Sequence, residues 1–243
     1  MFQSELCQLV YTLRIRNPSP VTATSGSPWQ RAGLRWNPFG EPPPEDLAAL
    51  IVPTERATPA DWLRQPRAVQ QYLGEAGRGK TAQLRRLGAL FPDAPYVYLA
   101  EDEPLPPLPD PAEVRGPLAL LLDEAQRLPP RRRRRLFAAI ARSGRSLVLA
   151  SHADLSAEAT GAGLACWTVH IAGLSAGDLL AILRRRIAWA RLDEAAPALP
   201  QPGDAQALIA ECGDDIRSIL DKLYERYQDW AINGGRHPWR SVT

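Results

Sequence analysis

Lysine is almost missing from this chain. There are two, Lys80 and Lys222, against twenty-seven arginines, so each lysine marks a place where arginine does not serve. Cysteine is scarce as well: Cys7, Cys166 and Cys212 are odd in number, far apart and at no metal-ligand spacing. That leaves neither a zinc site nor a disulfide framework and fits a reducing compartment. The longest apolar run, Leu118 to Leu122 with its flanks, is far too short to span a bilayer. The N-terminus lacks a charged start followed by an apolar stretch, so neither a signal peptide nor a membrane partner is expected, and a cytoplasmic protein is the default. Nor is one sign of charge in excess: a net charge of +2 argues neither for nor against a nucleic-acid partner.

What is present suits a folded protein. A chain of 243 residues, 45% of them hydrophobic, fits one medium domain or a domain plus a small appendage. Residues 1–28 show no clear period and end in a Ser/Thr/Pro-rich stretch that reads as a flexible arm. The Pro-rich segment around Trp36 and Phe39 follows, then "EDLAALI" and "PADWLRQ", which read as short helices. Strands are expected at 67–74, 95–101 and 117–124, and buried ones again at "RSLVLASH" and "CWTVHIAGL". The apolar run at 117–124 suits a parallel strand covered on both faces. Helices are expected from Lys80 onward and through "RRRRRLFAAIARSG" to Gly144. The prolines of 102–116 forbid a long helix there. Beyond Gly173 the period is only helical. Alternating strands and helices followed by helices alone imply an α/β fold: a parallel sheet flanked by helices, with a C-terminal all-helical lid domain.

Lys80 lies in "GEAGRGKT". Gly74, Gly79, Lys80 and Thr81 fit the phosphate-binding pattern G-x-x-x-x-G-K-[ST]. Glycines let successive N–H groups turn inward at phosphate oxygens, and a helix opening at Lys80 adds the positive end of its dipole. Lys80 reaches the β- and γ-phosphates as a compact charge where the broad, planar guanidinium of arginine does not fit, and Thr81 offers a hydroxyl to Mg²⁺. A carboxylate ending a buried strand stands at the mouth of a parallel sheet, where nucleotides bind. Asp123 and Glu124 end "LALLLDE", the first suited to a metal and the second to polarising water. At the tip of the next strand, Ser151 or His152 is placed to hold that water, unless the strand simply ends in polar residues. Arg217, just after Gly213, is either a basic residue able to swing over the phosphates or one more solvated arginine. Arg131, Arg132, Arg133, Arg134 and Arg135 crowd a helix start, where they oppose the dipole. They read either as a grip on a nucleic-acid backbone or as a solvated basic run.

Taken together, "GEAGRGKT", "LLLDEAQRL", "NPFG" and "GDDIRSIL" resemble the AAA+ branch of P-loop ATPases, over roughly residues 34–230. The DEAQ form is similar to that of ATPase subunits in bacterial transposition and secretion systems, and "GDDIRSIL" is similar to the sensor-2 helix of origin-recognition ATPases. The resemblance implies that Gly74, Glu75, Ala76, Gly77, Arg78, Gly79, Lys80, Thr81 and Ala82 surround ATP. It implies that Thr81 and Asp123 hold Mg²⁺, that Glu124 is the base, that Ser151 or His152 is sensor 1, that Arg217 is sensor 2, and that Trp36 to Phe39 lie near the adenine. The expected divisions are an arm at 1–28, a nucleotide-binding domain at 29–173, a helical lid at 174–232 and a tail at 233–243. The sequence departs from the family in its short Pro-rich span between Lys80 and Asp123, in the Ser or His at sensor 1, and in having five competing finger arginines: Arg142, Arg145, Arg184, Arg185 and Arg186. The function expected is an ATPase whose cycle drives self-assembly or acts on a protein or DNA partner. The other reading is a nucleotide-binding regulatory or adaptor module with little or no hydrolysis.

Overall fold

The computed structural model describes residues 27–53, 65–192, 198–233 and 239. The arm at 1–26, most of the expected helix "PADWLRQ" and all of the tail but 233 and 239 lie outside the described residues. Five strands, β1 (Ala68–Leu73), β2 (Tyr96–Tyr98), β3 (Leu118–Asp123), β4 (Ser146–Ser151) and β5 (Ala165–His170), form one sheet in the order β2-β3-β4-β1-β5. All four pairings are parallel. Between them run α3 (Lys80–Leu90), α4 (Pro130–Ser143) and α5 (Ser156–Gly161). The short helices α1 (Pro28–Arg31) and α2 (Pro44–Leu50) precede β1, and α6 (Ala176–Ala190), α7 (Pro202–Cys212) and α8 (Ile216–Asn233) follow β5.

Alternation along the strands builds two cores. On β4, Leu147 and Leu149 join the cluster of Leu136, Phe137 and Ile140 from α4, while Val148 and Ala150 face Leu84 and Leu87 of α3. On β3 the alternation slips by one: Ala119 and Leu120 both enter the α4-side core, and the pairing with β4 shifts between Leu118 and Leu120. At the other end of the strand Asp123 is fully buried. Each leucine buried in this way contributes about 1.5–3 kcal/mol relative to exposure.

Three observations differ from the sequence reading. The strand β5 is an edge with alternately exposed residues rather than a buried strand; Trp167 stands 46% exposed on it. Helix α5 was not expected, because its six residues are too few to show a period. The segment Trp29–Phe39 does not pack on the sheet. Leu34 and Phe39 are buried in a third core with Leu183 and Ile187 of α6, Leu208 of α7 and Leu223 and Tyr227 of α8. Backbone bonds from Arg35 N–H to the Ala190 carbonyl (2.8 Å) and from Leu192 N–H to the Gly33 carbonyl (2.9 Å) tie this segment to the end of α6. Among the described residues no helix is long and apolar enough to cross a membrane.

Candidate functional site

In a parallel sheet every strand ends at the same edge, so the tips of the neighbouring strands β3, β4 and β1 bring three separate stretches of sequence together. The first is the loop between β1 and α3. Gly77 (φ 74°) and Gly79 (φ 91°) adopt the left-handed backbone that other residues enter only at a cost of about 1 kcal/mol or more. A side chain at Gly74 would meet the Ile171 carbonyl oxygen at 2.6 Å. The loop delivers Lys80 to the first turn of α3 with its ammonium 2.7 Å from the Glu75 carbonyl and 3.5 Å from His152 Nε2. Burial lowers the Lys80 pKa, while Glu124 and then Asp123 pull it back up. Thr81 and Ala82 follow in the same turn, and Ala76 is exposed at the loop's tip.

The second stretch leaves β3. The buried Asp123 accepts from the Tyr96 hydroxyl on Oδ2 (2.7 Å) and from the Glu124 N–H on Oδ1 (3.0 Å). Burial, and then the charge of Asp123, push the Tyr96 phenol far up, so it remains a donor. Glu124 is one of two non-glycine residues with positive φ (58°) among the described residues, a strained conformation that points to a selected geometry. Its carboxylate accepts from Gln126 Nε2 at 2.8 Å and lies 3.3 Å from His152 Nε2 and 3.4 Å from Arg127 Nε. Gln126 closes the circuit by accepting the His152 N–H on Oε1 at 3.1 Å.

The third stretch is the tip of β4, and here the structure separates two residues that the sequence left level. The Ser151 hydroxyl is buried and donates to the Ala153 carbonyl (2.7 Å) while accepting the Ala153 N–H (3.0 Å), so it closes a turn. The His152 ring is the group that stands between Lys80 and Glu124.

The helical unit touches the loop directly. Arg78 forms an ion pair with Asp214 and donates to the Asp214 carbonyl at 3.3 Å. The bond to the Asp214 carboxylate raises the Arg78 pKa and lowers that of Asp214. The neighbouring Asp215 lies against Gly77 and accepts from the Arg217 N–H (2.9 Å) and the Ser218 hydroxyl (3.2 Å) at the start of α8. Arg217 itself is exposed in that first turn. Tyr96, Gln126, Asp214 and Asp215 were not picked out from the sequence. Gln126 and the acidic pair were legible inside motifs already noted, whereas nothing marked Tyr96.

Other candidates fall elsewhere. Arg133 is buried and bound to Glu158 (Nε to Oε2, 2.8 Å) and to the Leu128 carbonyl (3.0 Å), so it is withdrawn from any nucleic-acid grip. Arg131, Arg132, Arg134 and Arg135 are exposed. Of the finger candidates, Arg145 is bound to the Gly116 and Pro111 carbonyls, Arg184 to Pro200, Arg185 to Ile51, and Arg186 to Pro38 and Gly40. Burial pushes the Arg186 pKa down to about 10. Arg142 is exposed near the end of α4. Trp36 packs tilted against Trp189 and Phe39 edge-on against Tyr227 (centroids 4.9 and 4.8 Å), and Asn37 binds the Tyr224 carbonyl (2.9 Å) and the Phe39 N–H (3.0 Å). This segment is therefore a structural corner of the helical core.

No family model matches the sequence, and no curated protein does. Solved structures match the fold. The chain is similar to RuvB from Thermotoga maritima, a Holliday junction branch migration motor, with a TM-score of 0.50 over 69% of this chain at 15% identity; it spans 57% of that chain's length. Domain III of the replication initiation protein DnaA from Thermotoga maritima overlaps at a TM-score of 0.47 and 15% identity, over 68% of this chain and 78% of that one. AMPPCP-bound DnaA from Aquifex aeolicus overlaps at 0.44 and 17%, over 72% and 60%. The chain has the AAA+ P-loop fold, a parallel five-stranded sheet between helices with a C-terminal helical lid.

Proposed function

We propose that the protein is an AAA+-type ATPase that binds ATP with Mg²⁺ at the Lys80 loop. The observation that carries this reading is the meeting of Lys80, His152, Glu124 and Gln126 across three strand tips. A buried ammonium at a helix start, behind a glycine-rich loop, suits a polyphosphate. Among the described residues no three His, Cys, Asp or Glu side chains form a metal cluster. A cation held by Thr81 and Asp123 therefore needs phosphate oxygens to complete its shell, as a magnesium nucleotide supplies. Bound there, Mg²⁺ would neutralise charge on the transferring phosphoryl group. Glu124 polarises the attacking water and His152 orients it. Tyr96 holds the Asp123 carboxylate in place. Asp214 and Asp215 join the loop to the lid, so nucleotide occupancy and lid angle are coupled, with Arg217 sensing the γ-phosphate.

Two variants test the reading. Lys80→Ala removes the point charge over the β- and γ-phosphates, and nucleotide affinity should fall by at least about tenfold in a calorimetric titration, the loss of one charged hydrogen bond. Unchanged affinity would sink the P-loop assignment. Glu124→Gln keeps the shape without the base, so ATP binding should persist while turnover drops about 10²-fold or more. Binding without turnover in the unaltered protein, alone and with DNA, would favour the regulatory or adaptor reading instead.

A further inference from the structure

Away from the nucleotide site, α4 divides its arginines by helical phase. Arg133 is turned inward to Glu158. Arg132 and Arg135 lie on the adjoining side with Ala139 and the edge of Leu136, at spacings of three, four and seven residues, which is one face of a helix. Facing them is the proline-rich segment between β2 and β3. Its Leu105 and Leu108 pack on the α4-side core, and its far end is held by Arg145, which donates to the Pro111 carbonyl at 2.9 Å. Proline fixes φ, so this rail keeps its shape without a strand partner. Between rail and helix lies a groove of about 570 Å³, walled by Pro106, Pro109, Leu136 and Ala139.

We propose that this groove docks a short acidic-apolar peptide segment of a partner protein, carboxylates against Arg132 and Arg135 and apolar side chains along the Pro106–Ala139 floor. Charge complementarity carries the choice. Arg78, Arg127, Arg133 and Arg226 each have a carboxylate partner. Arg132 and Arg135, at the rim, have none among the described residues, and the start of α4 adds its own positive end. A single-stranded nucleic acid fits less well, because no aromatic side chain lines the groove to stack a base. The cations also stand at one end instead of tracking a backbone.

The test uses the full chain and a fluorescein-labelled octapeptide of aspartates followed by leucines and prolines, read by anisotropy. The controls are the same peptide with lysines for aspartates and an oligothymidylate of equal length. Saturable binding of the acidic peptide is expected, weakened at least about tenfold by Arg132→Glu with Arg135→Glu. Ala139→Glu, which sets a charge on the apolar floor, should also weaken it. Arg131→Glu with Arg134→Glu carries the same change in net charge on another face and should leave affinity within about twofold. Equal weakening by both double variants, binding of the lysine peptide or competition by the oligonucleotide overturns the proposal, as does the absence of saturable binding. Matching thermal midpoints for the variants and the unaltered protein show that binding, not folding, is being read.

Discussion

Replacing Glu158 by alanine tests whether α4 is anchored through Arg133. The structure sets the size of the effect. The Arg133 and Glu158 side chains are 11% and 32% exposed, and Arg133 also donates to the Leu128 carbonyl. Breaking a fully buried pair costs about 3–5 kcal/mol and an exposed one about 1 or less, so this half-screened pair should cost about 2 kcal/mol. For a chain of this length that lowers the midpoint of thermal unfolding by about 4–8 °C. Scanning calorimetry at neutral pH measures it, with Arg131→Ala as a control expected to shift by less than about 2 °C. The pH dependence follows from the bond that Arg133 donates, which depresses the Glu158 pKa. A depressed carboxylate contributes its stability above its unfolded pKa and loses it as the pH falls through the folded one. The gap between Glu158→Ala and the unaltered protein should therefore be full at neutral pH and close as the solution is acidified below about 4.3. A shift under 1 °C, or a gap that widens in acid, refutes the reasoning.

The tip of β4 allows a division of labour to be checked. His152→Ala should cut turnover about 10²-fold with little loss of stability, since the ring faces the site. Ser151→Ala should cost about 1–2 kcal/mol by urea denaturation through its two turn bonds while turnover survives; the reverse pattern would assign the roles wrongly. Arg217→Ala is expected to narrow the difference between ATP and ADP affinity while the unfolding midpoint stays put, and a fall in midpoint with no change in discrimination would make it a structural residue. Exchanging charges as Arg78→Asp with Asp214→Arg should restore most of the lid contact that either change alone removes, read by protection of the 213–218 amides from hydrogen exchange.

The parts that were legible in the sequence are those whose signal is local. The loop at Lys80 needs glycines in fixed order, and β3 needs an unbroken apolar run; both can be read without knowing what lies opposite. What was not legible depended on neighbours. Five identical arginines carry no sign of phase, and only the packing of Leu136, Phe137 and Ile140 decides that Arg133 turns inward. Trp36 and Phe39 are apolar enough to face either a base or a core, and their partners sit about 150–190 residues further along the chain. The strand β5 has the letters of a buried strand but ends the sheet, a fact that belongs to the strand order alone.

Trp29–Phe39 and α6–α8 form one body, although the sheet lies between them in the chain. The polypeptide therefore leaves that body through 41–53 and returns to it from the sheet through 171–175. A panel held by one pin can swivel freely; held by two, it turns about the line that joins them. The first pin is braced by Arg185 on the Ile51 carbonyl (2.7 Å) and Trp189 on Asp46 (3.0 Å), so its position along α6 is fixed. Away from that axis, a small angular displacement becomes a large linear one at the free margin. The margin that meets the frame is Asp214 and Asp215, resting on Arg78 and Gly77. Leverage of this kind follows from chain order alone.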